Sequence, residues 1–375
     1  MKAIAVFPKE KRVALIDHPE PKIESPTQIK LKILDVGICG TDREICEFKY
    51  GAPPPGCDYL ILGHESLGEI IELGSAVSDF KIGDLVVTMV RRPCGHKDCM
   101  ACQAGRQDFC YTGDFKERGI NGLHGFMAEY VVDDQKYMLR VPANLRDIGV
   151  LTEPLTIAEK AVREIYCIQK RLPWGNVDSK STHLAGKYRA LIIGAGPVGL
   201  LAALVCFICG FDVTVYSLEL ETTSRAKIAT ALGANYVSAK LNDITELGKH
   251  ISGNLDVIFD GSGASKLSFE MFPLLGYNGV FVWTGIPGRK ESIDINAGTI
   301  MRDIVLKNQS IVGSVNAGYE DFKGAIKNLN ELSDKLNLMP AALIKRYPVE
   351  QYSELLLQPP APDTFKSVIC FSESK

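Results

Sequence analysis

The fold of this chain is decided by residues 189–199, which read RALIIGAGPVG. An apolar run of strand type enters a G-x-G-x-x-G element at 194–199, and a second apolar run follows over 198–211. Such glycines permit a tight turn and close approach of the backbone to a pyrophosphate, and the next helix offers unpaired N–H groups at its N-terminus. A further strand at 212–216 completes the context in which the element binds a dinucleotide, and it disfavours a strand–helix turn without a ligand.

Strands and helices alternate downstream of residue 188. Strands are predicted at 189–193, 212–216, 235–237, 257–259, 279–283 and 310–312, with helices between them. The alternation predicts a parallel sheet covered on both faces, an α/β fold of the Rossmann type. Residues 1–150 instead hold short β-type runs broken by Gly, Pro and Asp, which predicts an antiparallel β-domain.

The end of the second strand in such a unit separates NAD from NADP. Residues 216–221 read YSLELE, which places Ser217 and Glu219 beside the expected adenosine ribose. A carboxylate there accepts hydrogen bonds from a free ribose 2′-OH and repels a 2′-phosphate. No Arg follows the strand directly, and Arg225 comes later. The sequence therefore favours NAD and leaves the use of both cofactors open.

Four cysteines form a compact cluster with the pattern Cys-x4-Cys-x2-Cys-x7-Cys; they are Cys94, Cys99, Cys102 and Cys110. Four clustered thiolates make a closed zinc site of the structural kind. The N-terminal apolar run is too short for a signal peptide, so the 11 cysteines indicate metal ligands and reduced thiols and not a disulfide framework.

A second candidate metal site combines different side chains. Cys39 lies in GICGTD at 37–42, and His64 and Glu65 are adjacent in LGHE at 62–65. A thiolate, an imidazole and a carboxylate leave a coordination position of zinc open for chemistry. Glu153 precedes a proline and is predicted to open a helix. From spacing alone, Cys39 could equally be a thiol of the core.

Composition limits the class of protein. The chain has 375 residues, 46% hydrophobic and 23% charged, with a formal net charge of −3. This is typical of a globular protein of two domains, and it argues against nucleic acid or an acidic membrane surface as the main partner. We expect a cytoplasmic protein.

Together these motifs resemble the zinc-dependent medium-chain dehydrogenase/reductase superfamily, and within it the glucose 1-dehydrogenase family. The superfamily elements are those at 37–42 and 63–65. Residues 112–120, 153–155 and 315–316 resemble the sugar dehydrogenase branch. The resemblance extends over almost the whole chain.

The resemblance implies an architecture of two domains. A GroES-like β-rich catalytic domain would occupy 1–187 and carry the structural zinc lobe at 91–112. A Rossmann NAD(P)-binding domain would occupy 188–313, and 314–375 would return to the catalytic domain. A homodimer or homotetramer would form through the sheet edge at 279–283, an expectation that sedimentation of the chain as a monomer would overturn.

The resemblance also assigns roles. Cys39, His64 and Glu153 would hold the catalytic zinc, with Glu65 alternating as a ligand, while Thr41, Glu65 and Glu153 would take part in catalysis. The residues that would contact the sugar are Thr41, Glu117, Glu153 and Asn316. The residues that would bind the cofactor are Gly194, Gly196, Pro197, Val198, Gly199, Ser217, Glu219, Thr284, Gly285, Ile286, Ser314, Val315 and Asn316.

Three features depart from the family pattern. The first gap of the four-Cys lobe, between Cys94 and Cys99, is longer than the common one. Val90 stands where some members carry an Asn that touches substrate. The adenosine-site Arg residues of NADP-preferring members are missing.

The implied reaction is oxidation of an aldose, such as glucose or galactose, at C1 to the aldonolactone, with two zinc ions per chain and NAD or NADP. A dehydrogenase of the same fold acting on a polyol, a secondary alcohol or threonine is the nearest alternative, because function depends on the site and not on the fold. A non-catalytic dinucleotide-binding protein is the other, and it would be expected to have lost zinc ligands.

Overall fold

The computed structural model describes residues 1–173, 188–288, 292–336, 344–359 and 364–371, without the side chains of 332–336. The chain forms two compact units. Unit 1 consists of Met1–Thr156 with Asn316–Lys375, and unit 2 consists of Ile157–Val315. Among the described helices, none combines the length and the apolar character needed to cross a bilayer.

Both units contain β-strands that pair through their backbones. In chain order they are β1 (Lys2–Phe7), β2 (Arg12–Asp17), β3 (Gln28–Gly37), β4 (Leu60–Ile61), β5 (Glu65–Leu73), β6 (Leu85–Thr88), β7 (Arg91–Arg92), β8 (Lys116–Arg118), β9 (Gly122–Leu123), β10 (Tyr130–Asp134), β11 (Met138–Val141), β12 (Arg189–Ile193), β13 (Asp212–Ser217), β14 (Asn235–Ser238), β15 (Val257–Asp260), β16 (Val280–Trp283), β17 (Ser310–Gly313), β18 (Ile344–Pro348) and β19 (Lys366–Cys370).

The α-helices are mostly short. In chain order they are α1 (Gly40–Cys46), α2 (Met100–Gln103), α3 (Thr152–Gln169), α4 (Pro197–Ile208), α5 (Ser224–Ala231), α6 (Ile244–His250), α7 (Ser265–Glu270), α8 (Ala297–Leu306), α9 (Tyr319–Leu336) and α10 (Tyr352–Leu357).

Unit 1 is built on a twisted, mainly antiparallel sheet with the order β11-β6-β5-β3-β19-β18, in which β10 also pairs with β3. Strand β3 is the centre of this sheet, and its residues are buried along most of its length. The core packed on the sheet includes Ile29, Leu31, Ile33 and Val36. The predicted antiparallel β-domain is confirmed, and the described strands of unit 1 also include two parallel pairs, β8 with β9 and β18 with β19.

Unit 2 contains the predicted parallel sheet, with the strand order β14-β13-β12-β15-β16-β17. This is the doubly wound order of dinucleotide-binding folds, in which the direction of winding changes between β12 and β15. Helix α4, which follows β12, is apolar on all sides, and its residues from Gly199 to Cys206 are buried. An all-round apolar helix of this kind belongs in a core. The predicted Rossmann fold is therefore confirmed.

One sequence-based expectation about this sheet is wrong. The segment 279–283 was expected to form the edge of the sheet, but β16 pairs with β15 on one side and with β17 on the other. In the described part of unit 2, β17 is the outer strand on this side of the sheet, and Ile311 within it is 39% exposed. The position of β17 depends on pairing that residue type alone does not reveal. The homodimer or homotetramer stays a prediction.

The chain passes between the two units at two places. The units change within α3, after Thr156, and again after Val315. The limits predicted for the domains, 187/188 and 313/314, stay a prediction, and 174–187 lie outside the described residues.

A buried cluster of one acid and two bases ties three strands of unit 1 together. Asp133 Oδ2 accepts hydrogen bonds from Arg92 Nη2 at 2.5 Å and from Arg118 Nε at 2.7 Å. Burial raises the pKa of Asp133, but the charges of Arg118 and Arg92 outweigh it and lower the pKa below its usual value. This stabilisation is present above the unfolded-state pKa of about 3.9 and is lost as the pH falls through the folded-state pKa.

Replacement of Asp133 by Ala is expected to lower the free energy of unfolding by about 3–5 kcal/mol, because two buried guanidinium groups lose their counter-charge. Urea-induced unfolding followed by circular dichroism measures the change. Asp58→Ala is the matched control, since the Asp58–Lys9 pair has side chains 74% and 84% exposed and should change stability by less than about 1 kcal/mol. Equal stability of the two variants would contradict the expectation.

Candidate metal centres and cofactor site

Cys39 is held at the start of a short helix in unit 1. It is the N-cap residue of α1, and its backbone N–H donates to Asp42 Oδ2 at 2.8 Å. This side-chain cap satisfies one of the N–H groups that every helix start leaves unpaired. The cap fixes the direction of the Cys39 side chain, and the Cys39 thiol lies 3.9 Å from Thr41 Oγ1.

His64 and Glu65 enter the same region from the start of β5. Gly63 precedes them with φ +91°, a conformation that glycine adopts without strain. Across the sheet, Gly37 pairs with Glu65, and a Cβ on Gly37 would lie 2.2 Å from Glu65 Oε2. A side chain at 37 would therefore displace the Glu65 carboxylate. The chain thus brings one ligand atom each of Cys39, His64 and Glu65 within 4.8 Å of one another.

Asp42 is the electrostatic partner of His64. Its Oδ1 lies 3.3 Å from His64 Nδ1, and both side chains are buried. Burial lowers the pKa of His64, but the Asp42 carboxylate outweighs burial and raises the pKa well above its usual value. Burial raises the pKa of Asp42, but the nearby His64 outweighs burial and the pKa is lower than usual. A carboxylate on one ring nitrogen of a histidine orients the other nitrogen towards a metal.

Lys366 is the second charged neighbour of this cluster. It lies in β19, is 2% exposed, and its Nζ forms an ion pair with Glu65 Oε2. Burial lowers the pKa of Lys366, but the Glu65 carboxylate outweighs it and raises the pKa. Glu65 therefore faces a cation from its own chain as well as the thiol and the imidazole.

Glu153 lies in the first turn of α3, so the helix start predicted there is present. Its carboxylate is not part of the group of three ligand atoms found among the described residues. Burial raises the pKa of Glu153 to about 7, with a further contribution from the Glu65 carboxylate and against an opposing effect of His64. Glu153 thus lies outside the closest set of Cys39, His64 and Glu65, but within electrostatic range of His64 and Glu65.

The donor set fits a zinc ion with an open position. One thiol, one imidazole and one carboxylate are three ligands of the types that zinc prefers. Asp42, His64, Glu65 and Lys366 place four buried ionisable side chains beside the Cys39 thiol. Such a concentration of buried polar atoms is costly in an apolar core and is typical of a site that binds an ion.

The four cysteines of the lobe also converge. Their four sulfur atoms all lie within 4.8 Å of one another, in Cys94, Cys99, Cys102 and Cys110. Gly95 and Gly105, with φ +79° and +70°, allow the turns that bring them together. The longer gap after Cys94 does not prevent the convergence. This set fits a closed tetrahedral zinc site.

Two of the residues expected to contact a sugar are bonded to each other. Asn316 Nδ2 donates to Glu117 Oε1 at 2.9 Å. The same oxygen accepts from Arg91 Nε at 3.0 Å, and the Glu117 and Arg91 side chains are 6% and 7% exposed. Asn316 has φ +59°, a left-handed conformation that Asn tolerates better than most residues. Thr41, as noted, lies beside Cys39.

The glycines of the G-x-G-x-x-G element in unit 2 differ in their surroundings. A Cβ on Gly199 would lie 2.1 Å from the Gly194 carbonyl oxygen, so Gly199 permits close packing of helix on strand. A Cβ on Gly196 would meet no atom within 4 Å. Gly196 is the N-cap of α4 and provides no side-chain cap, and Pro197 follows it. The open space at an uncapped helix start fits a pyrophosphate.

The end of β13 carries an ion pair. Glu219 accepts from Ser217 Oγ with one oxygen and from Arg225 Nη1 with the other, the latter at 2.8 Å. Ser217 Oγ in turn accepts from the Ala195 N–H at 3.2 Å, so this network reaches the glycine turn. Burial raises the pKa of Glu219, but the Ser217 and Arg225 contacts outweigh it and lower the pKa.

The remaining residues expected at the cofactor follow the next strands. Thr284 and Gly285 come directly after β16, and both backbone N–H groups donate to Asp260 O at 3.0 Å. Ile286 is 71% exposed, and Val315, which follows β17, is 53% exposed. Ser314 is buried, and its N–H donates to Trp283 O. All lie at the carboxyl ends of parallel strands, where doubly wound folds bind ligands.

Comparison with known proteins assigns the chain to a family. The sequence family described as "Glucose dehydrogenase C-terminus" matches residues 146–371, and "Alcohol dehydrogenase GroES-like domain" matches 25–143. The glucose 1-dehydrogenase of Thermoproteus tenax is 40% identical over 358 residues, covering 94% of this chain and 95% of its own length. The chain belongs to the glucose 1-dehydrogenase family of zinc-dependent medium-chain dehydrogenases. It is therefore an enzyme of the zinc-dependent dehydrogenase type.

Other members of the family support the assignment. The glucose 1-dehydrogenase of Methanocella arvoryzae is 36% identical over 335 residues, with 88% of this chain and 89% of that protein covered. The structure of Haloferax mediterranei glucose dehydrogenase in complex with NADP, Zn and gluconolactone superposes with a TM-score of 0.86 at 29% identity, with 100% of both chains covered. The resemblance expected from the sequence is thus confirmed, and so is the combination of a GroES-like and a Rossmann domain.

Two neighbours of the candidate catalytic metal centre escaped the sequence reasoning. Asp42 belongs to the GICGTD motif, and an acid three residues after a helix N-cap is a signal that could have identified it. Lys366 lies at the start of the strand KSVIC. The only sequence signal for its role is the unusual placement of a cation beside an apolar strand. Both residues act on the metal ligands through their charge.

Alanine at the two glycines should separate folding from cofactor binding. Gly196→Ala is expected to leave the melting temperature unchanged and to weaken NAD(H) binding at least about tenfold, since its methyl group occupies the space open to a pyrophosphate. Gly199→Ala, the matched control for packing, is expected to lower the melting temperature because its methyl group meets backbone. NADH fluorescence titration and thermal unfolding measure the two effects, and normal NADH binding by Gly196→Ala would contradict the assignment.

Proposed function

We propose that this enzyme oxidises an aldose, with D-glucose as the first candidate and galactose as the next, at C1 to the aldonolactone with transfer of hydride to NAD(P). The proposal depends above all on one observation, the buried Glu117 carboxylate bonded to Asn316 in the unit that also contains Cys39, His64 and Glu65. A carboxylate and an amide held together suit a substrate with several hydroxyls. The gluconolactone in the complex of the Haloferax mediterranei enzyme supports it.

The zinc and the nicotinamide would supply the two parts of the chemistry that side chains cannot. When bound by Cys39, His64 and Glu65, with Glu153 beside them, a zinc ion lowers the pKa of a coordinated hydroxyl, and the nicotinamide of NAD(P) accepts a hydride. The protein contributes binding, orientation and the path of the proton.

The side chains near the candidate catalytic metal centre have distinct tasks in this proposal. Thr41 Oγ1, beside the Cys39 thiol, accepts the proton of the C1 hydroxyl and passes it towards solvent. Asp42 keeps His64 oriented, and Lys366 holds the Glu65 carboxylate in place through their ion pair. Glu117 accepts hydrogen bonds from hydroxyls elsewhere on the ring, and Asn316 donates hydrogen bonds to them. These contacts favour substrates that carry hydroxyls at the matching positions.

The cofactor is proposed to be NAD in preference to NADP. Glu219 is ionised and held by Ser217 and Arg225, so one carboxylate is ready to accept from a ribose 2′-OH. A 2′-phosphate at the same place would meet that negative charge, although Arg225 would attract it once Glu219 moved aside. Use of both cofactors is therefore the second outcome to test.

An alternative substrate is a polyol, a secondary alcohol or threonine. The observation that favours this alternative is Val90, which is 3% exposed within the hydrophobic core and offers no polar side-chain contact. Fewer polar contacts would relax the demand for a complete set of sugar hydroxyls.

Turnover across a substrate panel decides between these functions. We expect NAD reduction with glucose or galactose at a kcat/KM at least about a hundredfold above that with sorbitol or threonine, since a missing hydroxyl contact leaves Glu117 or Asn316 unpaired. Parallel assays with NADP test the cofactor preference. Turnover with sorbitol or threonine alone would contradict aldose oxidation and leave the dehydrogenase fold and family intact.

Metal analysis tests the two proposed zinc sites. The purified enzyme is expected to contain two zinc ions per chain, one for each cluster of ligands. Cys39→Ala should retain one zinc and lose activity, and Cys102→Ser should also retain one. Cys57→Ser is the matched control, because Cys57 is exposed and lies outside both clusters. A single zinc in the wild-type enzyme would contradict the proposal.

A further inference from the structure

The guanidinium group of Arg91 contacts both the four-Cys lobe and the candidate sugar site. We propose that Arg91 is a positioning residue that transmits the fold of the lobe to Glu117, so that an intact lobe sets the affinity for the sugar. This inference rests on the proposed function, in which Glu117 and Asn316 contact the substrate. It assigns the lobe a task beyond the stability of its own loop.

The first contact joins Arg91 to Glu117 across two short strands. Arg91 in β7 is the cross-strand partner of Glu117 in β8. Arg91 Nε donates to Glu117 Oε1 at 3.0 Å, and both side chains are almost fully buried. The guanidinium also stacks on Phe115, with its Cζ 3.7 Å from the ring centroid. A charge pair in such a position is ordered, because neither group can turn to water.

The second contact joins Arg91 to the lobe. Arg91 Nη1 donates to the backbone carbonyl of Asp108 at 3.2 Å. Asp108 lies in the turn Gln107–Phe109, between Cys102 and Cys110. The position of this carbonyl therefore depends on how the cysteines on both sides of the turn are held. Zinc bound to the four thiolates would fix that turn.

The Asn316 segment rests on the same part of the lobe. The Asp108 carboxylate accepts from Arg106 Nε at 2.9 Å and from Arg106 Nη2 at 2.6 Å. A Cβ on Gly318 would lie 3.0 Å from Arg106 Nε and 3.1 Å from Asp108 Oδ1. The backbone two residues beyond Asn316 is thus packed closely on the Arg106–Asp108 pair.

These contacts converge on one oxygen atom. Glu117 Oε1 accepts from both Arg91 and Asn316. Its lone pairs are used, so the carboxylate is held in one orientation and Oε2 is the oxygen that faces a substrate hydroxyl. If the turn at 107–109 moved, Arg91 would lose its lobe contact and the Glu117 carboxylate would be free to rotate. The sugar would then bind more weakly, while the Cys39 cluster would be unchanged.

Conservative substitution of two neighbouring arginines tests the inference. Arg91→Lys keeps the charge but cannot reach Glu117 and Asp108 together, because lysine has a single donor group on a flexible stem. It is expected to raise the KM for glucose about tenfold, with kcat within a factor of about 3. The zinc content and the KM for NAD are expected to stay the same. Arg92→Lys is the matched control, since Arg92 is equally buried but contacts Asp133 and not Glu117.

Direct sugar binding provides a readout that does not depend on turnover. Calorimetric titration of the enzyme–NADH complex with glucose should show the same tenfold weakening for Arg91→Lys and wild-type affinity for Arg92→Lys. An unchanged glucose affinity in Arg91→Lys would overturn the inference. An equal loss in both variants would also overturn it, because general destabilisation of the unit would then be the cause.

A double-mutant cycle tests the role of the lobe itself. Cys102→Ser, which loses the lobe zinc, should raise the glucose KM about tenfold in the wild-type background and by less than about twofold in the Arg91→Lys background. Equal effects in both backgrounds would overturn transmission through Arg91. Glu117→Gln is the reference for the proposed function: if it leaves the glucose KM unchanged, the sugar-contact assignment fails, whatever the behaviour of Arg91.

Discussion

Unit 1 is organised by the requirement that a buried charge must lie beside an opposite one. A charge that loses its partner inside a protein costs several kcal/mol, so every such pair fixes two segments of chain relative to each other. Lys366 and Glu65 join the last described strand to the start of β5. Arg91 and Glu117 join β7 to β8 next to the four-Cys lobe. The positions of the candidate metal ligands and of the proposed substrate-contact residues depend on these pairs.

Local sequence patterns were sufficient where the interacting residues are close in sequence. The run from β12 through Gly194 and Gly199 to α4 contains its own strand, turn and helix. Its conformation was predictable because the turn itself and the packing of α4 on β12 explain why glycine is needed at these positions. The four cysteines are equally local, since they lie within one loop. The strands of the Rossmann sheet were also predictable, because apolar runs bounded by turn residues have few other conformations available.

Pairings between distant segments were beyond such patterns. The place of Lys366 beside Glu65 depends on β19 pairing with β3 at Val36 and Gly37, and no periodicity in the sequence records that pairing. The order of β16 and β17 at the sheet edge likewise depends on pairing between separate segments of the chain, which no local pattern predicts. Cys39, His64 and Glu153 were grouped by family resemblance and not by spacing, and the structure refines that group, with Glu65 in the closest set and Glu153 beside it.

The place of β19 in the sheet has a consequence for the way the protein is made. Unit 2 is one continuous stretch of chain and can complete its core while the ribosome is still at work. Unit 1 cannot, because β19 lies between β3 and β18 and is synthesised after everything else it touches. Until then, β3 keeps an open edge and Glu65 has no cation beside it. The nascent enzyme is therefore expected to complete its nucleotide-binding fold before β19 completes the surroundings of the candidate catalytic metal centre.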